Sequence, residues 1–584
     1  MKSPNINCLW ASLIVEELIR NGVDYFCLSP GSRSSPLAVA VATNPLAKSF
    51  VHFDERGMAF HALGCVSATG KAGCVITTSG TAAANLLPAI VEASKKKLPL
   101  IILTGDRPPE LRATGANQTI DQVKIFGEYV RWFFDLPCPT TDIPPCFVLT
   151  TIDQAVFRAN GELKGPVHLN CMYREPLAPV KSNKGLASYI SPIKRWLNGR
   201  SPYTSYIASE KKLSVNTVNA IVQQICGIKR GIIAVGKLGS QKEQRSVLAL
   251  AEKLNWPVFA DVTSGLRLGC SHKNVISYFD QILLSPRFKK SLKVDGVLHL
   301  GGRITSQRWY ELVERVKPSS YIMVLAHPLR NDPLHGVTLR VQARAEDFCA
   351  ALLKKQLRRN PGTLVASLSK LNQKIDAVVE IYFAGQSTLN EAAVARLVTQ
   401  YIPADSGLFL ASSLPIREVD MYGDPKGNPV TVSANRGASG IDGTVASACG
   451  FSAGLQKRLT LLIGDLALLH DLNSLAMLKN APQPLIIVAL NNDGGGIFNF
   501  LPIAQFKNGF EKFFGPPHGL TFEAAAEMFD LNYTSPATHE EFTRAYKIAL
   551  ESRTSTLIEI TSDRKQNVAL VKGLREKICK LYVR

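Results

Sequence analysis

Paired cysteines, long apolar runs and acidic residues are all scarce in this chain, and each scarcity excludes something. None of its twelve cysteines forms a Cys-x-x-Cys pair. That argues against a zinc site or a disulfide framework and suits a reducing compartment. Cys27, Cys65 and Cys449 lie in apolar or small-residue stretches and read as core thiols. No apolar run approaches the roughly 20 residues that a membrane span needs. The stretch Met1–Leu18 is too polar and too charged for a secretory signal. The expectation is a cytoplasmic protein with no membrane span. Acidic residues number 47 against 67 Lys and Arg, for a formal net charge of +20. Such an excess admits a polyanionic partner. No helix-turn-helix, finger or aromatic RNA-binding motif accompanies it, and a lysine-rich solvated surface accounts for it equally well. Lys95, Lys96 and Lys97 fall where a helix should end, a position that suits cations. No nucleic-acid partner is expected.

What is present is ordinary globular material. A chain of 584 residues, 46% hydrophobic and 20% charged, favours several domains. Strand-like and helix-like stretches alternate from the start, as in "CVITTSGTAAANLLPAIVEASKKKLPLIILTGDRP". Such alternation predicts parallel sheets covered by helices. The expected organisation is α/β throughout: three doubly wound α/β domains with parallel sheets. A first domain spans 1–180 and a linker rich in Lys, Ser, Asn and Pro spans 181–214. A central domain covers 215–356, a polar helical connector 357–374, and a last domain 375–584. The central "GKLGS" turn lacks the G-x-G-x-x-G spacing of a dinucleotide fingerprint. One internal likeness stands out. "NLLPAIVEASKKKLPLIIL" (Asn85–Leu103) and "DLNSLAMLKNAPQPLIIVAL" (Asp471–Leu490) both run from a helix into a Pro-Leu-Ile-Ile strand. A shared fold in the first and last domains would explain it, and so would chance.

"LLIGD" ends an apolar run with Asp465, and 27 positions later "PLIIVAL" runs into "NNDGGG" at Asn491–Gly496. A strand–helix–strand unit of this length finishes both strands at one sheet edge. Asp465 and the Asn491–Gly496 turn then become neighbours, offering a carboxylate, an amide oxygen and a turn carbonyl. These are hard oxygen donors, suited to Mg²⁺. Ligands in open α/β sheets bind at such carboxyl ends. The plain alternative is an Asp that caps the helix after Gly464.

The "GD…NN" spacing resembles the signature of thiamine diphosphate-dependent enzymes. "LSPGSRSSPLA", "HFDERGMAFHALG", "TTSGTAAANLLPAI", "TGDRPPELRATGANQTI", "SANRGASGIDGTVASACG", "GDLALLHDLNSL" and "NNDGGGIFNFLP" together resemble the carboligating synthase family of menaquinone biosynthesis. The likeness is dense over the first 180 or so residues and from about Leu408 to Pro502, and thin between. It implies the thiamine diphosphate-enzyme fold, with pyrimidine-binding, central and diphosphate-binding domains in that order. It also implies decarboxylation of 2-oxoglutarate and conjugate addition of the succinyl fragment to isochorismate. The implied cofactors are thiamine diphosphate and Mg²⁺ or Mn²⁺.

Residue by residue, the resemblance makes Glu55 the catalytic acid at the cofactor's pyrimidine. It adds Thr78, Gly80, Ile441, Gly464, Asp465, Leu466, Ala467, Asn492 and Ile497 as cofactor contacts. Asp465, Asn492 and Gly494 become the metal ligands. Ser32, Arg33, Arg107 and Gln118 fall at the substrate, with Ser413, Arg417, Arg436, Phe498 and Leu501 from the last domain. Carboxylate substrates favour arginine anchors. Arg308 in "GGRITSQRW" reads equally as a substrate contact and as a surface arginine, and His470 as a phosphate contact or a packing residue. In this family Glu55 serves the neighbouring subunit's cofactor, so a homodimer is the minimum and a tetramer the implied assembly. Two other readings stay open: another thiamine diphosphate 2-oxo acid decarboxylase or acetolactate-type synthase, and a non-catalytic basic nucleic-acid-binding protein.

Overall fold

Apolar runs that end in small-residue turns become parallel strands in the computed structural model, which describes residues 3–182, 185–209, 211–386 and 388–582. The first sheet holds β1 (Tyr25–Leu28), β2 (Lys48–Val51), β3 (Gly73–Thr77), β4 (Leu100–Asp106), β5 (Phe133–Leu136) and β6 (Val167–Met172). The second holds β7 (Gly231–Val235), β8 (Val258–Ala260), β9 (Gly296–Leu300), β10 (Ser320–Leu325) and β11 (Leu339–Gln342). The third holds β12 (Gly407–Leu410), β13 (Thr431–Ala434), β14 (Leu459–Gly464), β15 (Leu485–Asn491), β16 (Asn532–Thr534) and β17 (Thr556–Thr561). Their orders are β2-β1-β3-β4-β6-β5, β11-β10-β9-β7-β8 and β13-β12-β14-β15-β17-β16. Every named pair is parallel. Central strands such as β3, β4 and β15 are buried along their whole length, as sheets covered on both faces require.

The chain divides into two compact units. One comprises the described residues of Met1–Ser209 with Asn435–Lys457 and Leu469–Gln483; the other comprises those of Glu210–Ala434 with Arg458–Leu468 and Pro484–Arg584. The first unit contains the first sheet, and the second unit contains the other two. In the first unit the helix Glu55–Thr69 is capped by Asp54, whose side chain accepts from the Arg56 amide, and it stops at Gly70 in the left-handed region. It crosses the helix Thr444–Leu455 at very short range. A Cβ on Gly64 would fall 2.0 Å from the Ser447 carbonyl oxygen, and one on Gly450 would fall 1.9 Å from the His61 carbonyl oxygen. Only glycine allows that approach.

Two connections differ from the sequence reading. The stretch expected as a linker carries short helices at Ala187–Ile190 and Lys194–Leu197. Ile193 and Trp196 from it are buried in the first core. The Trp196 indole donates to Glu17 at 2.5 Å, and the Arg20 guanidinium lies 3.9 Å from the ring centroid. The polar composition concealed two apolar anchors. The connector is the start of a longer helix, Leu364–Ala384, which buries Leu368, Ile375 and Val379 in a core of the second unit. Among the described residues no helix is long and apolar enough to cross a membrane.

Candidate active site

In the second unit β14 and β15 lie side by side, with Gly464 opposite Leu490. The strand ends therefore bring Asp465 to the Asn491–Gly496 turn, as the spacing predicts. The Asp465 carboxylate is 2% exposed. Its Oδ2 accepts from the amides of Asn492 (3.2 Å) and Gly494 (2.9 Å), and its Oδ1 from the amide of Leu466 (2.7 Å). Gly494 has φ +135°, which L side chains rarely adopt, and its carbonyl accepts from the Gly496 amide at 3.0 Å. The link between the strands is a short helix, Asp465–His470, followed by 3₁₀ turns at Leu472–Asn480, where the sequence suggests a single helix.

The donor set fits a hard divalent cation. The Asn492 Oδ1 is buried and has no hydrogen-bond partner, a costly state for an amide oxygen unless a ligand satisfies it. Its Nδ2 is occupied, donating to Glu391 Oε1 at 3.0 Å. One carboxylate, one amide oxygen and one carbonyl oxygen suit Mg²⁺ or Mn²⁺. Open space lies over Gly464, where a Cβ would meet nothing within 4 Å. Leu466 and Ala467 follow Asp465 in the short helix.

Two groups here escape a reading of the sequence. His518 Nε2 lies 3.2 Å from Asp465 Oδ2, while the His518 and Gly519 amides donate to Asp493 Oδ1 at 2.8 Å each. Those amide bonds help hold the Asp493 carboxyl below its usual range. Glu391 is 1% exposed. Burial pushes it up to about 7; bonds from Asn492 and Ser562 oppose that push, and the Asp465 charge adds to it.

Ser413 and Arg417 follow β12 in the same unit, and an Arg417 guanidinium N–H donates to the Ser413 carbonyl. Ser413 sits at φ +79°, a strained position for a non-glycine residue. Ile497 and Phe498 lie on a 3₁₀ turn after the Asn-Asn turn, and Leu501 is the extended residue between it and the next. Phe498 meets Phe514 edge-on at 5.7 Å, whereas Leu501 is 45% exposed. Arg308 is taken up by Asp280, at 2.5 Å. The pairing answers its burial and occupies one guanidinium nitrogen, Nη1.

The first unit gathers the other group. The Arg33 amide donates to Thr78 Oγ1 at 3.2 Å, and Ser79 exchanges bonds with Gln118 at 3.0 and 3.1 Å. Gly80 and Gln118 both have positive φ, +84° and +55°. The Arg33 guanidinium, largely buried, donates to the Tyr173 carbonyl, lies 3.4 Å from Glu175 and keeps its Nε without a partner. Burial lowers its pKa, and the nearby Arg107 lowers it further. An anion beside the two guanidiniums would relieve their mutual repulsion. Arg107 is steadied by the Asn117 carbonyl at 2.8 Å. Ser32, next to Arg33, is exposed.

Glu55 opens its helix and is half-buried. The following Arg56 donates to the His470 carbonyl at 2.9 Å and approaches its Nδ1 at 3.2 Å, so His470 anchors this helix start. The loop bearing Arg436 and Ile441 also belongs to the first unit. It is held by the buried Glu92, which accepts from the amides of Gly437 (2.8 Å) and Ala438 (2.6 Å). Ile441 offers its carbonyl to Thr444 at 2.8 Å.

Three family models match in order. The N-terminal TPP binding domain of thiamine pyrophosphate enzymes matches residues 10–125, the thiamine pyrophosphate middle domain 187–410, and the C-terminal TPP binding domain 424–560. A 2-succinyl-5-enolpyruvyl-6-hydroxy-3-cyclohexene-1-carboxylate synthase of Rubrobacter xylanophilus is 46% identical over 572 residues, covering 98% of each chain. The chain belongs to this synthase family. Synthases of the same name from Salinibacter ruber (43% identical, 97% of this chain and 96% of the relative) and Chlorobaculum parvum (40%, 100% and 99%) agree. Among solved structures, a thiamine diphosphate-dependent 4-hydroxybenzoylformate decarboxylase of Rhodococcus jostii has a TM-score of 0.70 at 17% identity. It covers 95% of this chain and 99% of its own, and shows the shared fold. Within the synthase family the Asn-Asn turn, the paired first-unit arginines and the Glu92-held loop are the parts to be given roles.

Proposed function

We propose that the chain decarboxylates 2-oxoglutarate and adds the succinyl fragment to isochorismate, yielding 2-succinyl-5-enolpyruvyl-6-hydroxy-3-cyclohexene-1-carboxylate for menaquinone biosynthesis. Full-length identity of 40–46% to synthases of that name supports the reading. The observation that carries it at the site is the buried, unpartnered oxygen of Asn492 beside Asp465. Thiamine diphosphate supplies the nucleophilic carbon and the electron sink for the lost carboxyl. Asp465, Asn492 and the Gly494 carbonyl hold the divalent cation, Mg²⁺ or Mn²⁺. By the family resemblance Thr78, Gly80 and Ile441 would contact the cofactor from the first unit's turns, and Gly464, Leu466, Ala467 and Ile497 from the second's.

Glu55 holds a proton at the pyrimidine ring nitrogen. Arg33 and Arg107 bind substrate carboxylate, with Ser32 and Gln118 beside them. Ser413, Arg417 and Arg436 bind the second set of anionic groups, and Phe498 and Leu501 exclude water. Arg308 keeps Nη1 on Asp280 and offers the rest of its guanidinium to substrate. Glu55 serves the cofactor of a second copy, so the working form is a homodimer or a tetramer built from dimers. Twelve free thiols suit a reducing cytoplasm.

The test supplies purified protein with thiamine diphosphate, Mg²⁺, isochorismate and 2-oxoglutarate. Product and carbon dioxide are expected in equal amounts. Turnover of pyruvate in place of 2-oxoglutarate, with no isochorismate consumed, would replace this reading with an acetolactate-type or decarboxylase activity.

A further inference from the structure

Glu391 lies 101 positions before Asn492 and outside every stretch that suggests the site. It is the first residue of the helix Glu391–Tyr401, whose N-cap Asn390 accepts from the Ala393 amide at 2.9 Å. The cap fixes where the helix begins and so where Glu391 stands. Its Oε1 accepts two hydrogen bonds, from Asn492 Nδ2 and from Ser562 Oγ, each at 3.0 Å. Ser562 follows β17, and its amide donates to the Asn491 carbonyl at 2.9 Å. One buried carboxylate therefore ties a helix start to the turns after β15 and β17.

The bond to Asn492 has a directional consequence. A side-chain amide has one donor end and one acceptor end. If the Asn492 oxygen faced the ionised Glu391 carboxylate, two acceptors would stand 3.0 Å apart. With the nitrogen on Glu391, the oxygen is the end left buried and unpartnered. A second acid, Glu418, is wholly buried near Glu391 and leaves its Oε2 without a partner.

We infer that Glu391 is a positioning residue for the metal site: it locks the Asn492 amide so that its oxygen, and not its nitrogen, is presented to the cation. The inference rests on Asn492 being a metal ligand and adds what orients it. Outer groups that orient a ligand typically change metal affinity by about 10–100-fold when removed.

The experiment measures Mn²⁺ affinity of the full chain with thiamine diphosphate present, by the electron paramagnetic resonance signal of free Mn²⁺, so it does not depend on turnover. Glu391→Ala is expected to weaken Mn²⁺ by about 10–100-fold. Glu391→Gln keeps an acceptor but loses the charge, and should weaken it by about threefold to tenfold; it also serves if the alanine variant does not fold. The deciding arm combines each change with Asn492→Ala. If Glu391 acts through Asn492, the double variants bind Mn²⁺ no more weakly than Asn492→Ala alone. Wild-type affinity in both single variants, or losses that multiply in the double variants, would overturn the inference. Wild-type affinity in Asn492→Ala would go further and remove the metal assignment itself, whereas weak binding there with unchanged Glu391 variants sinks only the positioning role.

Discussion

Strand for strand, β1–β6 and β12–β17 occupy the same places in their sheets, with the order second, first, third, fourth, sixth, fifth in each. The likeness between Asn85–Leu103 and Asp471–Leu490 has this basis, since β4 and β15 are both fourth strands. The turns that leave corresponding strands carry different chemistry. After the first strands come Ser32 and Arg33 in one case and Ser413 and Arg417 in the other. After the second come Glu55, and Arg436 with Ile441. After the third come Thr78 and Gly80, and Asp465. After the fourth come Arg107, and Asn492 with Gly494. Burial of apolar strands sets the topology, and the turns set what each edge binds. The turns of both sheets carry arginines, Arg33 and Arg107 in one and Arg417 and Arg436 in the other, but only the third sheet's turns bring together a buried carboxylate, an amide oxygen and a turn carbonyl.

This contrast can be broken by substitution. Glu55→Gln should lower kcat by roughly 10²–10⁴-fold, the range for a lost general acid or base, with Mn²⁺ affinity unchanged. Asp465→Ala should instead weaken Mn²⁺ by more than about 100-fold, since it removes a ligand and not merely its support. If Glu55→Gln lost the metal, or Asp465→Ala kept it, the division of labour between the two edges would be wrong. Next in size, Arg33→Ala should raise KM for an anionic substrate by roughly 10–100-fold, as loss of a charged hydrogen bond does. Initial-rate kinetics with each substrate varied in turn would show which one it anchors. An unchanged KM for both would take Arg33 out of the site.

The smallest effect concerns stability and sharpens the comparison from within the first unit. His61 and His168 are buried, and burial pushes both down to about 3. His61 bonds Tyr25 and stacks on Phe50, with a push in the same direction from His52; His168 bonds Thr104, and Asp135 opposes the push. Unfolded, each takes a proton below about 6.5; folded, each stays neutral until about 3. Stability is therefore kept above pH 6.5 and lost as pH falls through that window, by about 1.4 kcal/mol per pH unit for each histidine. Urea unfolding from pH 7 to 5 should show this slope, and His168→Gln should reduce it. A slope that does not change would mean that His168 takes up a proton in the folded state.

Much of the candidate site's placement was legible because its residues sit at strand ends, where spacing and composition speak together. The meeting of Asp465 with the Asn491–Gly496 turn is found by counting one strand–helix–strand unit, whereas Arg33 entered through the family resemblance. Glu391 left no such trace. It reads as an ordinary acid in a first helical turn, and its partner lies in a distant strand's turn. His518 reaches Asp465 from a loop whose path no periodicity describes. Glu92 did leave a signal, an acid among the buried residues of the helix Leu87–Lys96, which calls for partners that a single sequence does not name. Arg308 had a partner that spacing did not suggest: Asp280, 28 positions away in sequence, holds its Nη1.

Of the candidate residues only Gly464 lies inside a strand. Inheritance can therefore treat scaffold and specificity almost as separate traits. A duplicated half can exchange its loop tips, acquire a new acceptor or donor molecule, and melt at nearly the same temperature as its parent. Such a chain is free to diversify where change costs least, and ancestral variants of it should differ in diet long before they differ in architecture.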